Sequence, residues 1–220
     1  MMWLLILSSM LLFDGIHVIE AYCVAKCSDV CTENIILEKR CSAKCTGLSN
    51  CGAMCVSNNC VVECAGPKCK ASCSGNNCKA MCSGDDCVAD CNGNRCTSVC
   101  YTYPCEAKCA GDKCKTTADV KLKYGSSGGK VYAKCEGSNC KAMANGKSLD
   151  TSDGKANVKC TGQNCRAGCT GLKCEVLCYG RDCNSVCNAE EKTECVRVVT
   201  NNTVNTRSII FNNDEIHIHV

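Results

Sequence analysis

Residues 55–114 read CVSNNCVVE (55–63), CAGPKCKAS (64–72), CSGNNCKAM (73–81), CSGDDCVAD (82–90), CNGNRCTSV (91–99), CYTYPCEAK (100–108) and CAGDKC (109–114). One grammar, Cys-x-Gly-x-x-Cys-x-small-x, recurs every nine residues without a gap. A fixed short period is the signature of a stacked repeat architecture and outranks any local propensity. Position 3 is Gly in nine of the eleven units that carry both Cys; Ser57 and Thr102 are the exceptions. Positions 4 and 5 favour Asn, Asp, Lys and Arg. Gly beside Asn or Asp is turn chemistry, because these residues tolerate positive φ. Positions 6, 8 and the next 1 alternate Cys, small, Cys, as in Cys69-Lys70-Ala71-Ser72-Cys73. Period two means a strand with one buried face. Each unit therefore reads as one short strand and one tight turn. About fifteen such coils, stacked at ~4.8 Å, predict a rod on the order of 70 Å long.

The same geometry bears on the sulfurs. Two Cys four residues apart on one strand face, such as Cys69 and Cys73, have Cα atoms ~13 Å apart at strand rise. A disulfide needs them within roughly 7 Å. Pairing at i and i+5, across the turn, is left as the favoured scheme. It joins Cys55 to Cys60, Cys64 to Cys69, Cys73 to Cys78, Cys82 to Cys87, Cys91 to Cys96, Cys100 to Cys105 and Cys109 to Cys114. Farther on it joins Cys135 to Cys140, Cys160 to Cys165, Cys169 to Cys174 and Cys178 to Cys183. Cys135 and Cys140 stand alone at that spacing, which favours it further. Bonds between adjacent coils stay open as a rival, since spacing does not fix connectivity. The partners of Cys23, Cys27, Cys31, Cys41, Cys45, Cys51, Cys187 and Cys195 are left unassigned.

Outward from the array the grammar thins. Cys are sparse between Cys114 and Cys160, but Ser126–Lys134 keeps Gly128 at position 3 and Ala133 at position 8. Gly146 does the same in the segment from Ala144. In this reading Ser126 with Val131, and Ala144 with Leu149, replace Cys pairs. Shortened coils begin near Ala118 and Asp153. The alternative is two looped-out hairpins, one pairing Val120–Tyr124 with Lys130–Lys134. The chain then divides into a signal peptide (1–21), a Cys-containing N-terminal cap (22–44), a nine-residue-repeat solenoid (45–195) and a C-terminal cap or tail (196–220). Thr32–Arg40 offers room for a helical turn within the first cap. Both ends of a repeat stack need covering.

Composition sets the compartment and the class. The chain has 220 residues, of which 30 are Cys, one is Trp and two are Phe. A core of ordinary apolar size is not available, so covalent links replace much of it. The apolar run Trp3–Phe13, with a more polar stretch to Ala21, reads as a secretory signal too short to span a bilayer. Secretion places the remaining thiols where they pair. Without residues 1–21 there are 25 Lys and Arg against 20 Asp and Glu, a net of +5. The cations are scattered among acids with few aromatics between them, a pattern that does not point to nucleic acid. No later stretch is long enough for a membrane span.

The Cys-x-Gly-x-x-Cys coil, over roughly residues 45–187, resembles the disulfide-braced β-solenoids of insect antifreeze proteins, the midge type especially. The resemblance is one of repeat logic and implies the fold. The ordered Thr or Tyr row that serves as the ice-binding face of that family has no counterpart here. Position 7 reads Val61, Lys70, Lys79, Val88, Thr97, Glu106, Lys115.

Chemistry-bearing residues are few. Thiol-metal clusters favour Cys-x-x-Cys spacing and a reducing compartment, and this chain has neither. Asp85, Asp86, Asp112 and Asp182 sit near turns and read as Asx-turn residues rather than a regular calcium set. His217 and His219, with Glu215, share one side of a C-terminal strand and read as a solvated face. No other segment after residue 21 holds a His for a Ser-His or Cys-His centre. No catalytic, metal or cofactor residue is assigned, and the chain is read as non-enzymatic. Asn201-Asn202-Thr203 is an N-glycosylation acceptor, at Asn201. The expectation is an all-β, disulfide-braced solenoid, secreted and extracellular, serving a structural or adhesive role in a matrix, coat or secretion. Its partners would be extracellular matrix, a glycan or a protein. The alternatives are a solenoid binding module for a ligand, partner or ice, and a defence- or venom-type effector. Exposed Lys rows offer adhesion to anionic polysaccharide or lipid surfaces.

Overall fold

The computed structural model describes residues 22–26, 30–36, 40–47, 50–102, 104–119, 130–146, 155–171, 173–189, 194–201, 204–211 and 214–219. The expected signal, residues 1–21, lies outside them. All regular structure among the described residues is strand. None of it is a helix long and apolar enough to cross a membrane.

The first strands are β1 (Tyr22–Lys26), β2 (Val30–Ile36) and β3 (Arg40–Thr46). The regular array follows with β4 (Gly52–Val56), β5 (Val61–Ala65), β6 (Lys70–Ser74), β7 (Lys79–Ser83) and β8 (Cys87–Asn92). It continues through β9 (Thr97–Cys100), β10 (Cys105–Ala110), β11 (Lys115–Asp119), β12 (Lys130–Glu136) and β13 (Lys141–Gly146). Then come β14 (Lys155–Thr161), β15 (Arg166–Gly171), β16 (Lys173–Tyr179) and β17 (Asn184–Ala189). The chain closes with β18 (Glu194–Asn201), β19 (Val204–Phe211) and β20 (Asp214–His219).

In the array, consecutive strands do not pair; each pairs in parallel with the strand two places on. The result is an even sheet, β1-β4-β6-β8-β10-β12-β14-β16-β18-β19-β20, and an odd sheet, β17-β15-β13-β11-β9-β7-β5-β3-β2. A tight turn reverses the chain through only half a circle. One closed ring therefore takes two nine-residue units, and stacked equivalents such as Asn76 and Asn94 are 18 residues apart. The solenoid is shorter than the sequence implied. Eleven strands at ~4.8 Å give a stack of about 50 Å.

Alternation inside each strand builds the core. In β6, Ala71 and Cys73 are buried while Lys70 and Ser74 are exposed. Stacked rings align these positions into columns. Ala53, Ala71, Ala89, Ala107 and Ala133 form one on the even sheet, continued by Val158 and Val176. Val62, Ala80, Ser98, Thr116, Ala142 and Ala167 face them from the odd sheet. The bulkiest fully buried side chains are valines, so the interior is little more than one small side chain deep per sheet. Ser98 meets this interior by donating its Oγ–H to the Ala89 carbonyl at 2.7 Å.

Among the described residues, nine bridges tie one sheet to the other: Cys55–Cys60, Cys64–Cys69, Cys82–Cys87, Cys100–Cys105, Cys109–Cys114, Cys135–Cys140, Cys160–Cys165, Cys169–Cys174 and Cys178–Cys183. Each spans five residues, from the end of one strand across the turn to the start of the next, with Cα atoms 5.8–6.2 Å apart. Cys45 and Cys187 are disulfide-bonded as well. Two pairs expected to close, Cys73 with Cys78 and Cys91 with Cys96, stand as thiols instead.

The sparse region is still solenoid, but the register differs from the expectation. Ala118 stacks on Cys100 and Ala144 on Cys169, both at a Cys position of the odd sheet. Val131 stacks on Cys105, and Ala156 on Val131. Val131 therefore answers Ala118, not Ser126, and Ala156 answers Ala144, not Leu149. The coil starts expected at Ser126 and Asp153 lie outside the described residues. The same-edge contact from Asp112 to Ser138 spans 26 residues and that from Asn139 to Asn164 spans 25, against 18 elsewhere. The extra length falls in residues 120–129 and 147–154, which lie outside the described residues, as does the proposed partner strand Val120–Tyr124. Lys130–Glu136 pairs with β10 and β14.

At the ends the strand polarity reverses. β2 runs antiparallel to β3, and β1 antiparallel to β4. Thr32–Ile36, where a helical turn had room, is part of β2. The exposed backbone edge of β3 offers a full ladder of partners, and Ile35 and Ile36 are β-branched. At the other end β18 joins β16 in parallel, and β19 and β20 add an antiparallel meander.

The turns also stack. On the edge where the chain passes from even to odd sheet, Asn58 Oδ1 accepts from the Asn76 N–H at 2.8 Å. Asn76 Oδ1 does the same for Asn94, Asn94 for Asp112, and Asp112 for Ser138. Backbone bonds run beside this side-chain ladder, for example Asn77 N–H to the Asn94 carbonyl at 2.9 Å. On the opposite edge Thr102, at a Gly position, bonds its hydroxyl to the Gly84 carbonyl and accepts from the Gly84 N–H at 2.9 Å.

Candidate functional site

Two rings' worth of alternation separates outward side chains by sheet, and the sheets differ. On the even sheet several lysines pair with acids, although the exposed Lys70 and Lys130 do not among the described residues. Lys108 pairs with Glu106 at 2.9 Å, Lys134 with Glu136 at 2.7 Å and Lys155 with Glu175 at 3.2 Å. Lys159 lies over the Tyr179 ring, 5.7 Å from its centroid. The Glu136 hydrogen bond raises the Lys134 ammonium above its usual value, and burial raises the Tyr132 phenol.

On the odd sheet one column reads Lys79, Thr97, Lys115, Lys141, Arg166. Its cations are all exposed, and none forms an ion pair among the described residues. The neighbouring column reads Glu63, Met81, Val99, Thr117, Met143, Gly168, and the acid at its near end, Glu63, is paired with Lys44 at 3.4 Å. Met143 lies over Gly168, whose missing side chain makes the room. In the adjoining turns Arg95 and Lys113 add two more exposed cations.

Two shallow grooves follow this edge. One, of about 420 Å³, is lined by Asn76, Asn77, Asn94, Arg95, Asp112 and Lys113. The other, of about 500 Å³, is lined by Asn139, Cys140, Lys141, Asn164, Arg166, Asp182 and Asn184. Spacing in nines interleaves the two sheets and hides this basic column. Spacing in eighteens exposes it.

The four open thiols form the second cluster. Cys73 and Cys91 stack in register on the even sheet, and Cys78 and Cys96 face them across the turns. The sulfurs of Cys78, Cys91 and Cys96 all lie within 4.8 Å of one another. Hydrogen bonding from Cys73, then Cys91 and Cys96, holds the Cys78 thiol well below its ordinary range. Its partners are pushed up: Cys73 and Cys96 chiefly by the bond to Cys78, Cys91 by the bond to Cys73. Such a set has the donor chemistry for a soft d¹⁰ ion. It also occupies the positions that are bridged in neighbouring rings. Exposure to a disulfide oxidant such as oxidised glutathione, which takes up the two electrons and leaves as two thiols, is expected to close Cys73 on Cys78 and Cys91 on Cys96, because both pairs have the spacing that is bridged in neighbouring rings. Peptide mapping without reduction checks this. A Cys73–Cys91 link would instead show reaction along the column.

The other residues singled out in the sequence do not assemble into a centre. Asp85 and Asp86 are both exposed in one turn, where the Asp85 carbonyl accepts from the Lys68 N–H at 2.6 Å. Asp112 is engaged by the Ser138 N–H at 3.2 Å, and Asp182 sits at a turn φ of 57°. Those acids are spread over different turns rather than gathered around an ion. Glu215, His217 and His219 belong to β20, and Asn201 ends β18; their side chains lie outside the described residues.

Comparison with protein-family models, with curated proteins and with solved structures finds no match.

Proposed function

We propose that this chain is a secreted, non-enzymatic structural or adhesive protein of an extracellular matrix, coat or secretion. The observation that carries the reading is the placement of the bridges. They join sheet to sheet in ring after ring, around a core of Cys, Ala and Val. A solenoid built this way resists heat, proteases and desiccation as long as its surroundings are oxidising, and gains nothing inside a reducing cell. The glycosylation acceptor at Asn201 and the apolar run before Ala21 fit the same route.

Ice binding is the weaker of the binding-module readings. The even-sheet column Lys70, Val88, Glu106, Tyr132, Asn157 and the odd-sheet column of mixed cations both lack a uniform flat row. Expression of the full sequence in secreting animal cells tests the proposal. The expected product is in the medium or deposited matrix, begins near Tyr22, migrates as an oxidised monomeric chain and shifts on removal of N-glycans. Retention inside the cell with reduced thiols would overturn it. Release as a freely diffusing protein with no matrix association would favour the effector reading. A gap between freezing and melting temperatures would restore ice binding.

A further inference from the structure

We infer that the odd-sheet edge is a binding site for a linear anionic polysaccharide, sulfated or carboxylated. The inference deepens the adhesive reading above and names the polymer that would be held. Lys115, Lys141 and Arg166 stack in consecutive rings at the strand spacing of ~4.8 Å, so their charges form a straight file along the solenoid axis.

Three features select the ligand. First, the cations of the file form no ion pair among the described residues. Equivalent lysines of the even sheet, Lys108, Lys134 and Lys159, also stack in register, yet each has a Glu or a Tyr ring against it. Cations left unpaired in this way have their charge available for an incoming anion. Second, the file borders grooves whose other walls are amides. Asn139, Asn164 and Asn184 line one groove together with Lys141 and Arg166. Amides donate to and accept from hydroxyl groups, whereas Lys and Arg hold sulfate or carboxylate. A sugar polymer offers both in each unit. Third, neither groove is lined by an aromatic ring, so bases would find no stacking platform. Apart from Cys140, the side chains lining the grooves are polar or charged, unlike a surface that seats itself among lipid chains.

Asp112 and Asp182 also line the grooves. Asp112 is occupied by its bond to Ser138. Asp182 stands at the far end of the second groove and sets a limit to the track.

The test uses the oxidised full-length secreted chain and immobilised dextran sulfate, with uncharged dextran, single-stranded DNA and phosphatidylserine vesicles as parallel probes. Two triple variants are compared: Lys115→Gln with Lys141→Gln and Arg166→Gln, and Lys108→Gln with Lys134→Gln and Lys159→Gln. Both remove three positive charges, and circular dichroism verifies the fold of each. The odd-sheet variant is expected to lose roughly tenfold in affinity, with a flatter salt dependence, while the even-sheet variant stays near the parent. Equal loss in both variants would reduce the effect to net charge and overturn the site. Unchanged binding of the odd-sheet variant would do the same. Tighter binding to DNA or vesicles than to dextran sulfate would overturn the ligand class. Failure on any of these counts leaves the export and oxidation experiment untouched, so the two readings fall separately.

Discussion

Full reduction of the oxidised protein, without denaturant, is expected to abolish its strand signal in circular dichroism and open it to proteases. The magnitude follows from the bridges. Each closes a loop with a sequence separation of five, in rings throughout the array. A loop of that size restricts the unfolded chain by about 2 kcal/mol. Nine such restrictions exceed the roughly 5–15 kcal/mol by which ordinary domains are stable. Apolar burial has little to offer in their place, since the largest fully buried side chains are Val62, Val131, Val158 and Val176. The parallel stack also has a high contact order, so a reduced chain has no fast local route back. Persistence of strand structure and protease resistance after complete alkylation of the thiols would show that the hydrogen-bonded rings hold by themselves.

Gly93→Ala is the single substitution with the largest expected cost. Gly93 turns the chain at φ 141°, a region that L side chains rarely adopt. A Cβ there would strike the Gly75 carbonyl group in the ring below, with the carbonyl carbon 2.6 Å away. Neither backbone can yield, because the Gly93 N–H is bonded to the Ala110 carbonyl and the Gly75 N–H to the Asn92 carbonyl, both at 2.8 Å. The expected loss is about 3–5 kcal/mol, or about 1 M in the guanidinium midpoint of the oxidised protein. Ser57→Ala is the matched control. Ser57 occupies the same turn position but already carries a Cβ, and its hydroxyl reaches only the Asn58 carbonyl, at 3.3 Å. Its change is expected to stay within about 0.5 kcal/mol. Equal effects at the two positions would mean that the turns are not packed against one another.

The strand-and-turn unit was legible in the sequence because every physical demand on it falls on a fixed position. Cys69, Ala71 and Cys73 must face inward, and Gly75 must turn. What escaped was the ring. The even and odd halves obey one grammar, so nothing in Cys73–Met81 distinguishes it from Cys82–Asp90, although the two strands lie in different sheets. The basic column escaped for the same reason. Read in nines, Lys79 is followed by Val88, whereas in space it is followed by Thr97 and then Lys115. Between Ala118 and Val131 the grammar misled. Gly128 and Ala133 match it, but Ala118 had already filled the role given to Ser126. The thiol cluster was illegible in a different way. Cys73, Cys78, Cys91 and Cys96 carry the same spacing as the bridged pairs, and only their mutual proximity in two adjacent rings sets them apart.

The lengthened connections after Ala118 and Ala144 both leave the odd sheet and return to the even one, so they share a seam of the cylinder. At each, aliphatic residues (Ala118 with Val131, Ala144 with Ala156) stand where a cross-tie would otherwise clamp the hoop. A hoop without its clamp can be let out by any number of residues and still seat on the hoops above and below. That seam is the natural place to splice in a tag or a foreign epitope. The far seam, with its ladder of Asn58, Asn76, Asn94, Asp112 and Ser138, would lose a rung with every splice.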